Sequence, residues 1–571
     1  MSSESRRPNV LLVLTDDQGW GDLRCHGNDL IDTPTLDRFS REGARFDRFF
    51  VCPLCAPTRS SILTGRYHLR TGVSGVTQGR EIIREDEVTV AHAFLDAGYA
   101  TGCFGKWHSG EHYPHHPNGK GFQEFLGFCA GHWNNYFDTN LQHNGEPVET
   151  KGYISDVLTD AAMDFIRTNR DSPFFCYLPF NAPHGPFQVP DEYFDKYQAR
   201  GLNDKDACIY AMCENVDDNV QRLLDLLDEL ELAEDTVVIF LTVNGPNGQR
   251  YNGDMRGAKG SVHEGGVRVP CFIRWPGRIA PDTFITELGA HIDFFPTLVD
   301  LCGIAMPETK PLDGVSLKPL LLGEATDWPE RSIFTHRLAG TQVNPACGSL
   351  RTPRYRLTLE RLEKGYELFD LIGDPSETTD LAKAEPQILA QLSAEYERIY
   401  AEATAAGFER PPIPVGYPEF PRVEIPAPLV AMGGGLEFKG GKGWANDWIT
   451  NWTTPEDTAS WSLCVIEPGT YQVTLMYTCP AEDVGSRIQV TVGDAVAETI
   501  LAEAHDPEPL PSPDRVPRME MYEKVWAPLA FPPLELAAGD QDLVVRALDI
   551  PGGQAMDLKA VILRPCDKDK S

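Results

Sequence analysis

The chain has 571 residues, 42% hydrophobic and 24% charged, a composition that fits a globular protein too long for one core and long enough for two or three domains. Its formal net charge of −33 argues against a general binder of nucleic acid or anionic membrane, because such a surface repels polyanions at long range. Any anionic ligand must therefore meet a local basic pocket.

At the N-terminus, MSSESRRPNVLLVLTDD carries arginines, but its apolar run at 10–14 is too short for a signal h-region, and no run reaches the length of a membrane span. The expectation is a soluble, cytoplasmic chain, or a periplasmic or secreted one if a leader has been removed. The 14 cysteines lack the spacing of a disulfide scaffold and are predicted to be mostly buried thiols, compatible with a reducing compartment.

In chain order, the run 10–14 reads as a central parallel strand covered on both faces, ending at Thr15-Asp16-Asp17. Next comes VCPLCAPTRSSILTGR, residues 51–66, which holds both a C-x-x-C (Cys52, Cys55) and a C-x-P-x-R (Cys55, Pro57, Arg59). A redox or zinc role for Cys52 and Cys55 lacks a thioredoxin-sized βαβ frame and a second C-x-x-C. Strands are predicted at 99–104, followed by Lys106 and His108, and at 174–178, followed by His184. His112, His115 and His116 are interrupted by Pro114 and Pro117, which favours an exposed loop over a metal site. An amphipathic helix carrying Met212, Val216, Val220, Leu223, Leu227 and Leu230 precedes a strand at 236–241. Helix and strand alternation predicts an α/β fold, in which ligands bind beyond the carboxyl ends of the strands, so the loops after these strands are expected to converge on one site.

From about 351 to 401 short strands and a helix near Pro386 read as a smaller α+β subdomain. PPIPVGYPEFPRVEIPAP, 411–428, reads as a stiff proline-rich linker. Beyond it, β alternation, turn signals and Trp444, Trp448, Trp452 and Trp461 predict an all-β sandwich. The expected units are a catalytic α/β domain (1–335) built on a large, mostly parallel sheet flanked by helices, a C-terminal α+β subdomain of the same unit (336–408), a linker (409–428) and a β-sandwich (429–571).

C-x-P-x-R followed by S-x-L-T-G-R, at Cys55, Pro57, Arg59, Ser61, Leu63, Thr64, Gly65 and Arg66, resembles the signature of the sulfatases. The resemblance extends over about the first 400 residues, through NVLLVLTDDQG, GKWH (105–108), APHGP (182–186), KGSVHEGGVRVP (259–270) and YELFDLIGDPSETTDL (366–381). It implies an alkaline-phosphatase-like α/β fold and a formylglycine made from Cys55 by a maturation enzyme. It further implies a calcium ion, or magnesium, held by Asp16, Asp17, Asn244 and residue 55. Arg59 would orient the formylglycine, Lys106 and Lys259 would clamp the sulfate, His108 would contact the aldehyde hydrate, and His184 would lie near the ester oxygen. His263 and His336 are weaker candidates for the substrate region.

A sulfate ester repels nucleophiles, so it needs charge neutralisation and a strong attacking oxygen. A hydrated aldehyde supplies that oxygen, and its second hydroxyl lets the sulfated intermediate collapse. One position departs from the pattern: the family has D-N-G after the later strand, whereas this chain has Val243-Asn244-Gly245, losing an oxygen ligand and a negative charge. Asn247 and Asp254 are candidate substitutes. The expected substrate is a sulfated oligosaccharide or polysaccharide, with the sandwich weakly resembling carbohydrate-binding modules; a packing domain is its alternative. Two rival functions stay open: a phosphate or phosphonate ester hydrolase of the same superfamily, and an inactive protein that binds sulfated glycans.

Overall fold

The computed structural model describes residues 7–338 and 344–566. The first apolar run forms β1 (Asn9–Thr15), every residue of which is buried. Val10, Leu12 and Leu14 enter one apolar cluster and Leu11 and Val13 another, so the strand is covered on both faces, as its unbroken hydrophobicity requires.

β1 is central in a ten-stranded sheet. The other strands in chain order are β2 (Ala44–Phe46), β3 (Ala100–Lys106), β4 (Glu124–Phe128), β5 (Asn140–His143), β6 (Glu146–Glu149), β7 (Phe174–Pro179), β8 (Thr236–Thr242), β9 (Cys271–Arg274) and β10 (Thr283–Ile285). They are arranged β10-β2-β9-β8-β1-β7-β3-β4-β5-β6. The middle of the sheet, β8 to β4, is parallel, and antiparallel pairs appear toward both edges, so the sheet is mixed. One face packs on α1 (Cys55–Thr64); the other packs on α2 (Ile154–Thr168) and α3 (Asp204–Glu229).

A four-stranded antiparallel sheet, covered by the helix Pro386–Thr404, forms the smaller subdomain. Its seam with the catalytic unit is charged and buried. Arg356, with no exposed side-chain surface, lies 2.9 Å from Glu377 and 3.2 Å from Glu264, and His263 Nδ1 lies 2.7 Å from Glu377 Oε2. His263 and His336 are thus engaged here: His263 between Glu377 and Glu360, and His336 beside the ring of Tyr400.

The C-terminal part is a β-sandwich of a six-stranded and a seven-stranded sheet. The proline-rich stretch is no linker. Ile413–Val415 pairs in parallel with Leu463–Val465, and Val423–Pro426 pairs antiparallel with the last strand. Ile413, Val415, Val423 and Ile425 alternate into the core, while Pro414 and Pro426 take positions where a missing N–H is tolerated. Trp448, Trp452 and Trp461 are also buried, whereas Trp444 is half-buried, with Lys442 Nζ 4.4 Å from its ring centre.

The His112 region departs from the exposed loop expected of it. All three histidines are buried; His112 Nε2 bonds to the Glu424 carbonyl and His115 Nδ1 to the Ile83 carbonyl, each at 2.7 Å, while the His116 ring packs against Phe420. The sandwich covers this loop, which is why local polarity misled.

Candidate active site

The carboxyl ends of β1, β3, β7 and β8 deliver their following residues to one place. Asp16 and Asp17 leave β1, with the Asp16 N–H donating to the Ala182 carbonyl at 3.0 Å; Asp17 takes a left-handed φ of 70°. Lys106 ends β3, and its Nζ lies 2.8 Å from Asp16 Oδ2. Cys55 is the first residue of α1, preceded by an extended Leu54. One turn on, Arg59 donates from Nη2 to Asp16 Oδ2 at 2.8 Å and from Nη1 to the Lys106 carbonyl at 2.7 Å. Arg59 and Asp16 have no exposed side-chain surface.

Asp17 gathers the other half of the cluster. Lys259 Nζ is 2.6 Å from Oδ1, Asn244 Nδ2 donates to Oδ1 at 2.9 Å, Asn247 Nδ2 donates to Oδ2 at 3.1 Å, and His184 Nε2 lies 3.8 Å from Oδ2. Asp254 is exposed on its loop. His108, with φ of 55°, turns Nε2 to the Val76 carbonyl at 2.8 Å. A Cβ on Gly131 would stand 2.4 Å from that nitrogen, so only glycine lets the two loops meet.

Cys52 does not pair with Cys55; its sulfur lies 3.2 Å from His291 Nε2, and all 14 cysteines are free thiols, ten of them buried. No helix among the described residues is long and apolar enough to cross a membrane.

Electrostatics follow from burial and pairing. Burial would raise the Asp16 carboxyl, but Lys106 and Arg59 outweigh it and hold the group well below the usual carboxylate range; Lys259 does the same, more weakly, for Asp17. His108 falls to about 3 and His184 to about 4, through burial and the neighbouring lysines, so both are neutral imidazoles at pH 7. Burial raises the Cys55 thiol, which makes it a poor nucleophile as it stands. Arg59, Lys106 and Lys259 outnumber the two carboxylates, leaving an anion-attracting net charge inside a strongly acidic protein.

A hard divalent cation fits these donors. Asp16 Oδ1 and Asn244 Oδ1 are buried acceptors with no hydrogen-bond partner, and ligand atoms of Asp16, Asp17 and His184 lie within 4.8 Å of one another. Val243, buried in the same apolar cluster as Cys55, adds no oxygen to them.

The residues 8–304 match the family model named Sulfatase. The chain belongs to the sulfatase family. Within this sulfatase, residues 258–402 also match the model of the N-sulphoglucosamine sulphohydrolase C-terminal region. Human arylsulfatase A is 32% identical over 438 residues, 68% of this chain and 82% of that protein; dog (Canis lupus familiaris) N-acetylgalactosamine-6-sulfatase is 32% identical over 373 residues, 58% and 68%. Among solved structures, Ps i-CgsB in complex with k-i-k-neocarrahexaose superposes with a TM-score of 0.66 at 26% identity, covering 71% of this chain and 95% of that one.

Two neighbours of the sulfatase site escaped the sequence reading. Tyr136 donates its hydroxyl to the carbonyls of His184 and Gly185 at 2.9 and 2.8 Å, and the buried His132 ring lies 6.0 Å from that of His184. Both sit in irregular chain after β4, where no periodicity singles them out. Beside them a cavity of about 470 Å³ lies between the catalytic unit and the sandwich, lined among others by Trp133, Asn134, Glu523, Trp526 and Lys559.

Proposed function

We propose that this sulfatase removes sulfate from a sulfated saccharide, using an aldehyde hydrate derived from Cys55 as nucleophile. The observation that carries this is Cys55, buried at the start of α1, with the charges of Lys106, Asp16, Lys259 and Asp17 acting on its thiol. Its raised thiol pKa supports a role as a precursor, because a protonated thiol attacks sulfur poorly. The saccharide class is supported by the N-acetylgalactosamine-6-sulfatase relative and by the saccharide complex of the structural neighbour.

In this reading Lys106 and Lys259 hold the sulfate oxygens, and Arg59 fixes Asp16 and the Lys106 backbone. A calcium or magnesium ion held by Asp16, Asp17, Asn244 and residue 55 would add positive charge and lower the pKa of the attacking hydroxyl. That hydroxyl, having lost its proton to solvent, attacks sulfur in line, the bond from sulfur to the saccharide oxygen breaks, and the departing alkoxide takes a proton. His184, near the ester oxygen by the family resemblance, is the candidate carrier. It is neutral when the site is free, so it must gain that proton with the anionic ester. In the second step His108, also neutral, accepts the proton of the remaining hydroxyl as the carbon-to-oxygen bond breaks; sulfate leaves, and water rehydrates the aldehyde.

Val243 favours one other reading, a saccharide-binding protein without turnover. Mass spectrometry of the residue 55 peptide after co-expression with a maturation enzyme, with sulfate release assayed in calcium, separates them. Expected are aldehyde at residue 55 and turnover that Cys55→Ala abolishes. Faster release from aryl phosphate or phosphonate than from aryl sulfate would move the assignment to phosphoryl chemistry, and binding of sulfated saccharide by calorimetry with neither aldehyde at residue 55 nor turnover would favour the binding protein.

A further inference from the structure

Residues 501–526 connect the sandwich strands Ala495–Ile500 and Ala527–Ala530 and reach the catalytic unit. Arg518 Nη1 donates to the Asn134 carbonyl at 2.6 Å, and Asn134 Nδ2 donates to Glu523 Oε2 at 2.8 Å. Gln188 Nε2 donates to Ser512 Oγ and Asp514 Oδ1, both at 2.8 Å, and the Arg515 N–H donates to the Phe187 carbonyl at 2.9 Å. Arg518 is itself locked by Asp514, at 2.7 Å. The stretch is therefore bonded to both loops that carry His132 and His184.

On this stretch Glu520, with 20% of its side chain exposed, brings Oε1 to 3.9 Å from His132 Nδ1. That separation is too long for a hydrogen bond. His132 is 6% exposed; the Asn134 side chain stands close enough to interact with its ring, but neither ring nitrogen makes a well-formed hydrogen bond. Burial keeps the ring neutral, so it offers one donor and one acceptor, the complement of an alcohol hydroxyl. A buried imidazole left without partners costs stability unless something completes it. A carboxylate at this distance, on a ring that lies 6.0 Å from that of His184, stands where one hydroxyl at ordinary hydrogen-bond length from the ring nitrogen also reaches it.

We infer that His132 and Glu520 form a subsite for a free hydroxyl of the saccharide that carries the sulfate, with the C-terminal sandwich supplying half of it. The inference rests on the saccharide reading above. It makes the sandwich a wall of the active site, and its carboxylate opposes a second sulfate at that position while accepting a hydroxyl there.

The test uses the full chain with Glu520→Ala, Glu520→Gln and, as a control on the exposed part of the same stretch, Glu508→Gln. For each, kcat/KM is measured for 4-nitrophenyl sulfate and for N-acetylgalactosamine 6-sulfate, galactose 4-sulfate and glucosamine 6-sulfate, with affinity for the saccharides by calorimetry. Loss of a charged hydrogen bond predicts that the best saccharide's kcat/KM relative to the aryl ester falls at least about 10-fold in Glu520→Ala, with a parallel loss of affinity, while Glu508→Gln matches the parent. Ratios and affinities within two-fold of the parent in Glu520→Ala, or a parent chain that binds none of the saccharides, overturn the subsite. A parent chain that hydrolyses no ester contradicts the hydrolase reading instead, and the calorimetric comparison then decides the subsite alone.

Discussion

Val243→Asp asks whether the site lacks a ligand or has been rebuilt without one. The backbone there is already fixed: the Val243 N–H donates to the Thr15 carbonyl at 3.0 Å and its carbonyl accepts from Thr58 Oγ1 at 2.7 Å. Aspartate is close to valine in size, so the substitution changes charge more than shape. It adds a third carboxylate to Asp16 and Asp17, against Arg59, Lys106 and Lys259. At about 4 Å and an effective dielectric near 20, each unit pair is worth about 4 kcal/mol, and twice that against a divalent ion. Desolvation of the new carboxylate takes back several kcal/mol. With that cost at about 5 kcal/mol, about 3 kcal/mol remains, on the order of 100-fold tighter calcium. Calorimetric titration of both proteins measures this directly, and melting with and without calcium checks it, since saturation at about 100 times Kd stabilises by about 2.7 kcal/mol. Equal or weaker calcium affinity in the aspartate variant would refute the placement of Val243 at a ligand position.

Further expectations concern stability. Arg59→Ala strands the fully buried Asp16 with reduced compensation, and urea unfolding should show a loss of about 3–5 kcal/mol; a loss under about 1 kcal/mol contradicts the ion-pair argument. Burial lowers His68 to about 4 and His291 and His336 to about 3, below the ordinary value of about 6.5 that they regain on unfolding. Because the unfolded chain takes up these protons first, the stability they contribute is complete above about pH 6.5 and is lost as pH falls toward 4. Each gap of two or more pH units is worth at most a few kcal/mol, so the melting temperature should fall steeply from pH 6.5 to 4.5; a flat profile contradicts it.

The chain's own text made β1, β8 and α3 legible, since buried strands and amphipathic helices are written in the spacing of apolar residues. It also announced Asp16, Asp17, Cys55, Arg59, Lys106, His108, His184, Asn244 and Lys259, through motifs at strand ends and at a helix start. Other features were decided by surfaces distant in sequence. The histidines at 112–116 are buried because the sandwich covers them, and the prolines of 411–428 fit inside it because edge strands tolerate a missing donor.

What the sequence alone determined is the local chemistry: which acids and bases follow the carboxyl ends of strands, that the Cys55 thiol opens a helix, and that a valine stands where the family pattern has a carboxylate. Only the tertiary structure decided which of them share a charge cluster, that His263 and His336 belong to a structural seam, and that Glu520 stands beside His132, nearly 400 residues earlier in the chain. The reason is physical. Hydrophobic period and turn chemistry act between near neighbours, whereas the pairing of buried charges across domains depends on how whole surfaces dock, and no short stretch of sequence records that docking.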